Sequence, residues 1–197
     1  IDERHIGVFR PRWQQVVADS VEDGQSMIGL GYDGAFIRVR STPAGRLYAQ
    51  RISDTASVAQ WTAWTLLENN TSPGAQFALA CDGTSIQAIF YVGADHRTIK
   101  LRQSSDNGQS WGAAANVVTV PAGYSVRSLA ASLNAGLGTL YCFYASEPTA
   151  SPGMATIYTL ARAEGGGAWS TPQPWGRGVA QANGLALLPE RPHKHQQ

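Results

Sequence analysis

Only two cysteines occur in the 197 residues, Cys81 and Cys142, too few for a disulfide framework to stand in for a hydrophobic core. Both fall in strand-like runs, where free buried thiols are expected. Charge is sparse too: 15% of residues are charged and they nearly cancel, to +1 at neutral pH, so no basic patch for nucleic acid is expected. No run of about 18 apolar residues is present, which leaves no segment expected to span a membrane as a helix. No secretory signal is visible, and an opening at Ile1 rather than Met leaves room for an upstream part. Catalytic signatures are missing as well: the chain has no G-x-S-x-G, no H-E-x-x-H and no P-loop.

Gly29-Leu30-Gly31-Tyr32-Asp33-Gly34 does match G-x-G-x-x-G. A dinucleotide site needs that loop to open a helix whose N-terminus meets the pyrophosphate, whereas here it runs into the strand-like stretch from Ala35 to Val39. Asp33-Gly34 suits a hairpin turn instead. His193 and His195 lie in a polar tail and do not make a metal site. No cofactor and no metal are expected. Asn69-Asn70-Thr71 and Asn70-Thr71-Ser72 are glycosylation sequons, meaningful only in a eukaryotic secretory setting.

What the chain has in quantity is turn material and short apolar stretches. Twenty-one glycines and 10 prolines accompany 43% hydrophobic residues, the composition of many short strands joined by tight turns. The length suits one sizeable core or one closed β ring.

Residues 104–111 read Ser104-Ser105-Asp106-Asn107-Gly108-Gln109-Ser110-Trp111, directly after a strand-like run from Thr98 to Gln103. Asp106 is placed to accept from nearby backbone N–H groups, Gly108 permits a positive φ, and Trp111 covers the hairpin with an apolar ring. This stretch resembles the Asp-box (BNR-repeat) hairpin of sialidases and related β-propeller proteins. The resemblance implies an all-β fold built from four-stranded antiparallel blades. It also implies a bracing role for Ser104, Asp106, Gly108 and Trp111, on the rim away from any ligand.

The motif recurs in weaker form. Counting from Ile99, Asp106 is seven residues on, Gly108 nine and Trp111 twelve; from Ile157 the same offsets reach Glu164, Gly166 and Trp169. From Leu47 the seventh offset is Asp54, with two extra residues before Trp61. Tryptophans at 13, 61, 111 and 169 are spaced by 48, 50 and 58, the period of a blade array. Asp33-Gly34 and Asp82-Gly83 lie 49 apart as hairpin turns, with Asn134-Ala135-Gly136 in the same role. In the middle copy, strands are expected over 76–81, 86–92, 98–103 and 111–118, with the period-two alternation of Phe77, Leu79 and Cys81 against Ala78 and Ala80.

The expected organisation is one propeller domain over 1–190 and a polar tail over 189–197. Blade copies are expected at 5–18 (partial), 26–67, 76–119, 126–176 and 179–188 (partial), about four blades or a fragment of a larger propeller. Fourth strands are expected over 61–67, 111–118 and 169–175. A helix over 13–21 competes with a strand there, since Val16, Val17 and Val21 also fit a spacing near 3.6.

Function is less legible. The resembling hydrolases require arginines clamping a carboxylate, an acidic proton donor and a Tyr/Glu nucleophile pair. Phe9-Arg10-Pro11 misses the corresponding arginine segment by one residue, and the blade count is short of six. The expectation is therefore a non-catalytic module recognising carbohydrate, located extracellularly or on a cell or virion surface, with a homo-oligomer or a larger parent chain both open. A sialidase-like hydrolase and a structural scaffold are the alternatives. Opposite the box turns, the second-to-third-strand loops and the links between blades carry the candidate ligand-binding residues Arg46, Asp95, His96, Arg97, Tyr124 and Glu147. Trp64 and Trp175 are aromatics outside the periodic set, expected to pack between blades.

Overall fold

The computed structural model describes residues 26–31, 35–52, 61–73, 76–81 and 85–179. They form twelve strands in three four-stranded antiparallel sheets, each a simple meander. Blade 1 contains β1 (Ser26–Leu30), β2 (Phe36–Ser41), β3 (Leu47–Ile52) and β4 (Thr65–Glu68). Blade 2 contains β5 (Phe77–Cys81), β6 (Gln87–Val92), β7 (Thr98–Ser104) and β8 (Ala115–Thr119), and blade 3 contains β9 (Tyr124–Asn134), β10 (Thr139–Pro148), β11 (Ala155–Ala163) and β12 (Gln173–Val179). The protein is all-β and has the blade architecture of a β-propeller, as the composition and repeats anticipate.

The core lies between sheets. All six residues of β6 are buried, and their period-two alternation serves two neighbours at once. Ile89 and Tyr91 join Ile37, Val39, Leu47 and Phe77 between blades 1 and 2. Ala88, Phe90 and Val92 join Leu129, Leu140, Cys142 and Leu160 between blades 2 and 3. A strand buried on both faces reads as a continuous apolar run because no face is left for polar residues. Ala78 and Ala80 on β5 are fully buried, as expected where the innermost strands crowd together. Neither cysteine forms a disulfide; Cys142 is buried as expected, whereas Cys81 is only half-buried, and burial pushes the Cys142 thiol well above the usual thiol range.

The three tryptophans hold equivalent places. The residue after each one donates its backbone N–H to the third strand of its own blade: Thr62 to Arg51 O at 2.8 Å, Gly112 to Gln103 O at 2.9 Å, and Ser170 to Ala161 O at 2.9 Å. The fourth strand then begins four residues after the tryptophan in every blade, at Thr65, Ala115 and Gln173. This corrects the expected starts at 61, 111 and 169: each tryptophan opens an irregular segment that covers the hairpin before the ladder resumes. Trp111 packs on the cluster between blades 1 and 2. Trp169 packs on the next cluster, with its ring 5.8 Å from Phe90 in an edge-on contact.

Some expectations fall elsewhere. Val179 ends β12, paired with Ala155, while 180–188 lies outside the described residues. So do the partial blade at 5–18, the competing helix at 13–21, the Phe9-Arg10-Pro11 segment, the Asp33-Gly34 and Asp82-Gly83 turns, Asp54, and the tail with His193 and His195. The Asn134 turn is described: Leu137 N–H reaches Asn134 Oδ1 at 3.1 Å, and Gly138 takes a φ of 57°. No helix among the described residues is long and apolar enough to cross a membrane.

Candidate functional site

The turn at 104–111 is saturated by its own contacts. Ser104 Oγ accepts from Gly108 N–H at 2.9 Å, and Asp106 accepts from Ser104 Oγ at 2.8 Å and Ser110 N–H at 2.9 Å. Burial works to raise the Asp106 carboxyl, but hydrogen bonds from Ser110, Ser104 and Gln109 outweigh it and hold the group below its ordinary value. Asn107 and Gly108 take positive φ, 60° and 76°. That backbone pushes Asn107 against blade 1, where its carbonyl accepts from Arg51 Nε at 2.9 Å. Gly31 is needed opposite, since a Cβ there would stand 2.2 Å from Asn107 Oδ1. Ser104, Asp106, Gly108 and Trp111 thus act in bracing and inter-blade packing.

The opposite rim gathers the loops that were expected to carry ligand contacts. Gly45 O accepts from Thr71 N–H at 2.9 Å, Ser72 Oγ lies 2.6 Å from His96 Nδ1, and His96 O accepts from Val126 N–H at 2.9 Å. Gly123 O accepts from Thr149 N–H at 2.8 Å. Arg46, Asp95, His96, Arg97, Tyr124 and Glu147 are therefore on one rim, linked blade to blade. Most of them are occupied. Asp95 accepts from Arg97 N–H, Thr98 N–H and Thr98 Oγ1 at 3.0, 2.8 and 2.6 Å. These bonds, with the Arg97 charge, override burial and lower its pKa. Arg97 spends Nε and Nη2 on Val120 O, at 3.1 and 2.9 Å. Glu147 is buried, paired with Arg127 and accepting from Gly153 N–H at 3.3 Å. Arg46 is exposed at the blade 1 end, and Tyr124 is 41% exposed.

Tyr124 leads to a feature that the loops alone do not reveal. The turn from Pro121 to Tyr124, closed by Tyr124 N–H on Pro121 O at 3.2 Å and by a φ of 83° at Gly123, sets the ring at the mouth of a cleft between blades 2 and 3. The cleft holds about 340 Å³. Blade 2 contributes Val118, Thr119 and Val120; blade 3 contributes Tyr144, Ser146, Tyr158 and, ahead of β12, Pro172. None of the lining residues is charged. Tyr144 and Ser146 are two apart on β10 and share its blade 2 face, and Tyr158 is the register partner of Tyr144 on β11. The two rings stack with centroids 5.2 Å apart. Among the described residues, no hydrogen bond engages the hydroxyls of Tyr124, Tyr144, Tyr158 or Ser146, although Tyr144 is only 3% exposed. Burial, with the neighbouring Tyr158 and Cys142, pushes the Tyr144 phenol up to about 12, so it stays a neutral donor.

The interface between blades 1 and 2 shows how the same position is filled elsewhere. Tyr91 pairs with Lys100 on β7 as Tyr144 pairs with Tyr158 on β11, so the two tyrosines are repeat equivalents. Tyr91 donates to Glu68 Oε2 at 3.1 Å. Glu68 pairs with Leu47, and its equivalent, paired with Ile99, is Val118. The second interface has therefore lost the carboxylate that satisfies the tyrosine in the first. Tyr91 itself is fully buried, and burial together with Glu68 pushes its phenol up to about 12. Trp64 lies beneath Arg40 at 4.3 Å, and Trp175, 64% exposed, meets Phe143 at 5.8 Å; neither packs between the described blades as expected.

No family model and no curated protein matches the chain. Among solved structures it is similar in fold to Hadza microbial sialidase Hz136, with a TM-score of 0.56 and 12% identity over 80% of this chain. The match spans 38% of that sialidase's length. The likeness is one of fold.

Proposed function

We propose that the protein is a non-catalytic module that recognises carbohydrate on a cell or particle surface, with the turn at 104–111 serving as a structural Asp-box. One observation carries this reading: a concave cleft between two blades whose described lining is uncharged, with tyrosine hydroxyls that no described residue engages. Sugars present alternating C–H faces and hydroxyl edges, which call for aromatic surface and neutral hydrogen-bonding groups together. The fold likeness to a sialidase is in keeping with a carbohydrate ligand. Arg46 and His96 flank this rim and supply secondary contacts to a branched glycan.

Screening the whole chain and its Tyr124→Ala variant on a glycan array tests the reading. Binding by the wild type that falls about tenfold or more in the variant is expected, since an aromatic platform at a site centre contributes on the order of 1–2 kcal/mol. Absence of any glycan signal removes the proposal. A second reading, part of a longer sialidase-like hydrolase, draws on the exposed apolar groups of blade 1, Ile28, Leu30, Phe36 and Leu66, which suit a further blade.

A further inference from the structure

Every described side chain that lines the cleft is neutral, and this bears on what kind of sugar fits it. Sialic acid and other acidic sugars carry a carboxylate that a protein site meets with cations, most effectively arginine. The nearest such group along the chain, Arg127, is paired with Glu147, and Arg97 is turned onto Val120 O. A ligand carboxylate between Tyr144 and Val118 would accept from the Tyr144 hydroxyl but would lack the Lys100 charge that helps hold Glu68 ionised beside Tyr91, because the position equivalent to Lys100 is the neutral Tyr158. A neutral pyranose ring would gain apolar contact with Val118, Val120 and Pro172, and its hydroxyls would meet the open phenols and Ser146 Oγ.

We infer, on the basis of the glycan reading above, that the cleft between blades 2 and 3 is a binding site for an uncharged pyranose, created where Val118 replaces the carboxylate that Glu68 supplies to the preceding interface. The ligand hydroxyl takes the place of that missing carboxylate and accepts from Tyr144. The site is a local departure from the repeat. The first interface, with Tyr91 already bonded to Glu68, binds no sugar in the same way.

The test follows from the equivalence. Val118→Glu places a carboxylate where Glu68 stands in the first interface, filling the cleft and offering Tyr144 an acceptor. Titrate the whole chain, this variant and Tyr144→Phe with a panel of neutral disaccharides (lactose, maltose, mannobiose, chitobiose) and with sialyllactose, at roughly 50 and 500 mM NaCl, which spans strong to weak screening. The inference expects at least one neutral disaccharide to bind with a Kd that changes less than about twofold with salt, because no charge is engaged. It expects Tyr144→Phe to weaken binding by about tenfold, the loss of one buried hydrogen bond, and Val118→Glu to abolish it. Tyr144→Phe keeps the ring and its packing, so its result stands even where Val118→Glu fails to fold. Tighter, salt-sensitive binding of sialyllactose that both variants weaken overturns the neutral-sugar inference and leaves carbohydrate recognition intact. Neutral binding untouched by either variant moves the site away from this cleft. No binding of any sugar overturns the functional reading itself.

Discussion

Arg51 in blade 1 donates from Nε to the backbone carbonyl of Asn107 in blade 2, at 2.9 Å, and so fastens a third strand to the turn at 104–111 of the next blade. Gln103 repeats the connection one blade on, donating from Nε2 to Glu164 O at 2.8 Å and accepting from Arg162 Nη2 at 2.8 Å. Arg51 and Gln103 stand at the same offset, four residues after Leu47 and Ile99. The repeated unit thus includes the bond between blades as well as the fold within them. Arg51→Ala removes a charge-assisted donor and leaves Asn107 O without it, at a cost of about 1–3 kcal/mol. Urea unfolding followed by tryptophan fluorescence should show a lower midpoint, with the slope little changed.

Gly108→Ala should be destabilising by roughly 1–3 kcal/mol. Its φ of 76° disfavours any L side chain, and the new Cβ would lie 2.9 Å from Ile37 Cδ1, a side chain buried in the core between blades 1 and 2. Gly123→Ala shares the positive φ but meets nothing within 4 Å, so it should cost less. Thermal unfolding of the two variants side by side measures the difference, which isolates the contact with Ile37.

Acid should weaken the fold through Asp106 and Asp95. Both carboxyls are held below the ordinary value of 3.8. A lowered folded-state pKa contributes stability that is present above 3.8 and is lost as pH falls through the lower folded value. Unfolding free energy should therefore decline from about pH 4 downward, and Asp106→Asn should make that decline shallower while lowering stability at neutral pH. An unchanged acid limb in the variant would show that the hydrogen bonds of the 104–111 turn do not select the ionised form.

Alkali acts on the opposite class of group. Tyr91 and Tyr144 are each pushed up to about 12 from the ordinary 10.0, so their stabilising effect is complete below 10.0 and is lost as pH rises towards 12. A spectrophotometric phenolate titration should find the Tyr91 and Tyr144 phenols ionising late. Tyr144→Phe should remove one of these late phenols.

The fold could be read from the chain because its signals are local and repeat. Phe77, Leu79 and Cys81 alternate within one strand, and Trp61, Trp111 and Trp169 recur at blade spacing. The fourth strands start later than the sequence suggests because Trp61-Thr62-Ala63-Trp64 and Trp111-Gly112-Ala113-Ala114 have a strand-like composition, although the residue after each tryptophan makes a single backbone–backbone bond to the third strand before the ladder resumes. Of the residues lining the proposed site, only Tyr124 is marked by sequence, through its place in a link between blades. Tyr144 and Tyr158 look like ordinary members of alternating strands. What sets them apart is a valine at position 118 on a different sheet, a relation between interfaces that spacing along one strand does not encode. Asp95 and Arg97 are charged loop residues whose composition suggests a ligand, while the structure shows their polar atoms bonded to Thr98 and Val120 O, a local arrangement that residue type alone does not encode.

Aromatic-region NMR of the whole chain during titration with a neutral disaccharide that binds tests recognition at the cleft most directly. The account predicts that the ring signals of Tyr124, Tyr144 and Tyr158 shift together with one saturation curve, while Tyr91, held by Glu68, stays in place. Shifts confined to the rings of Tyr48, Trp64 or Trp175, with the three cleft tyrosines unmoved, would contradict it.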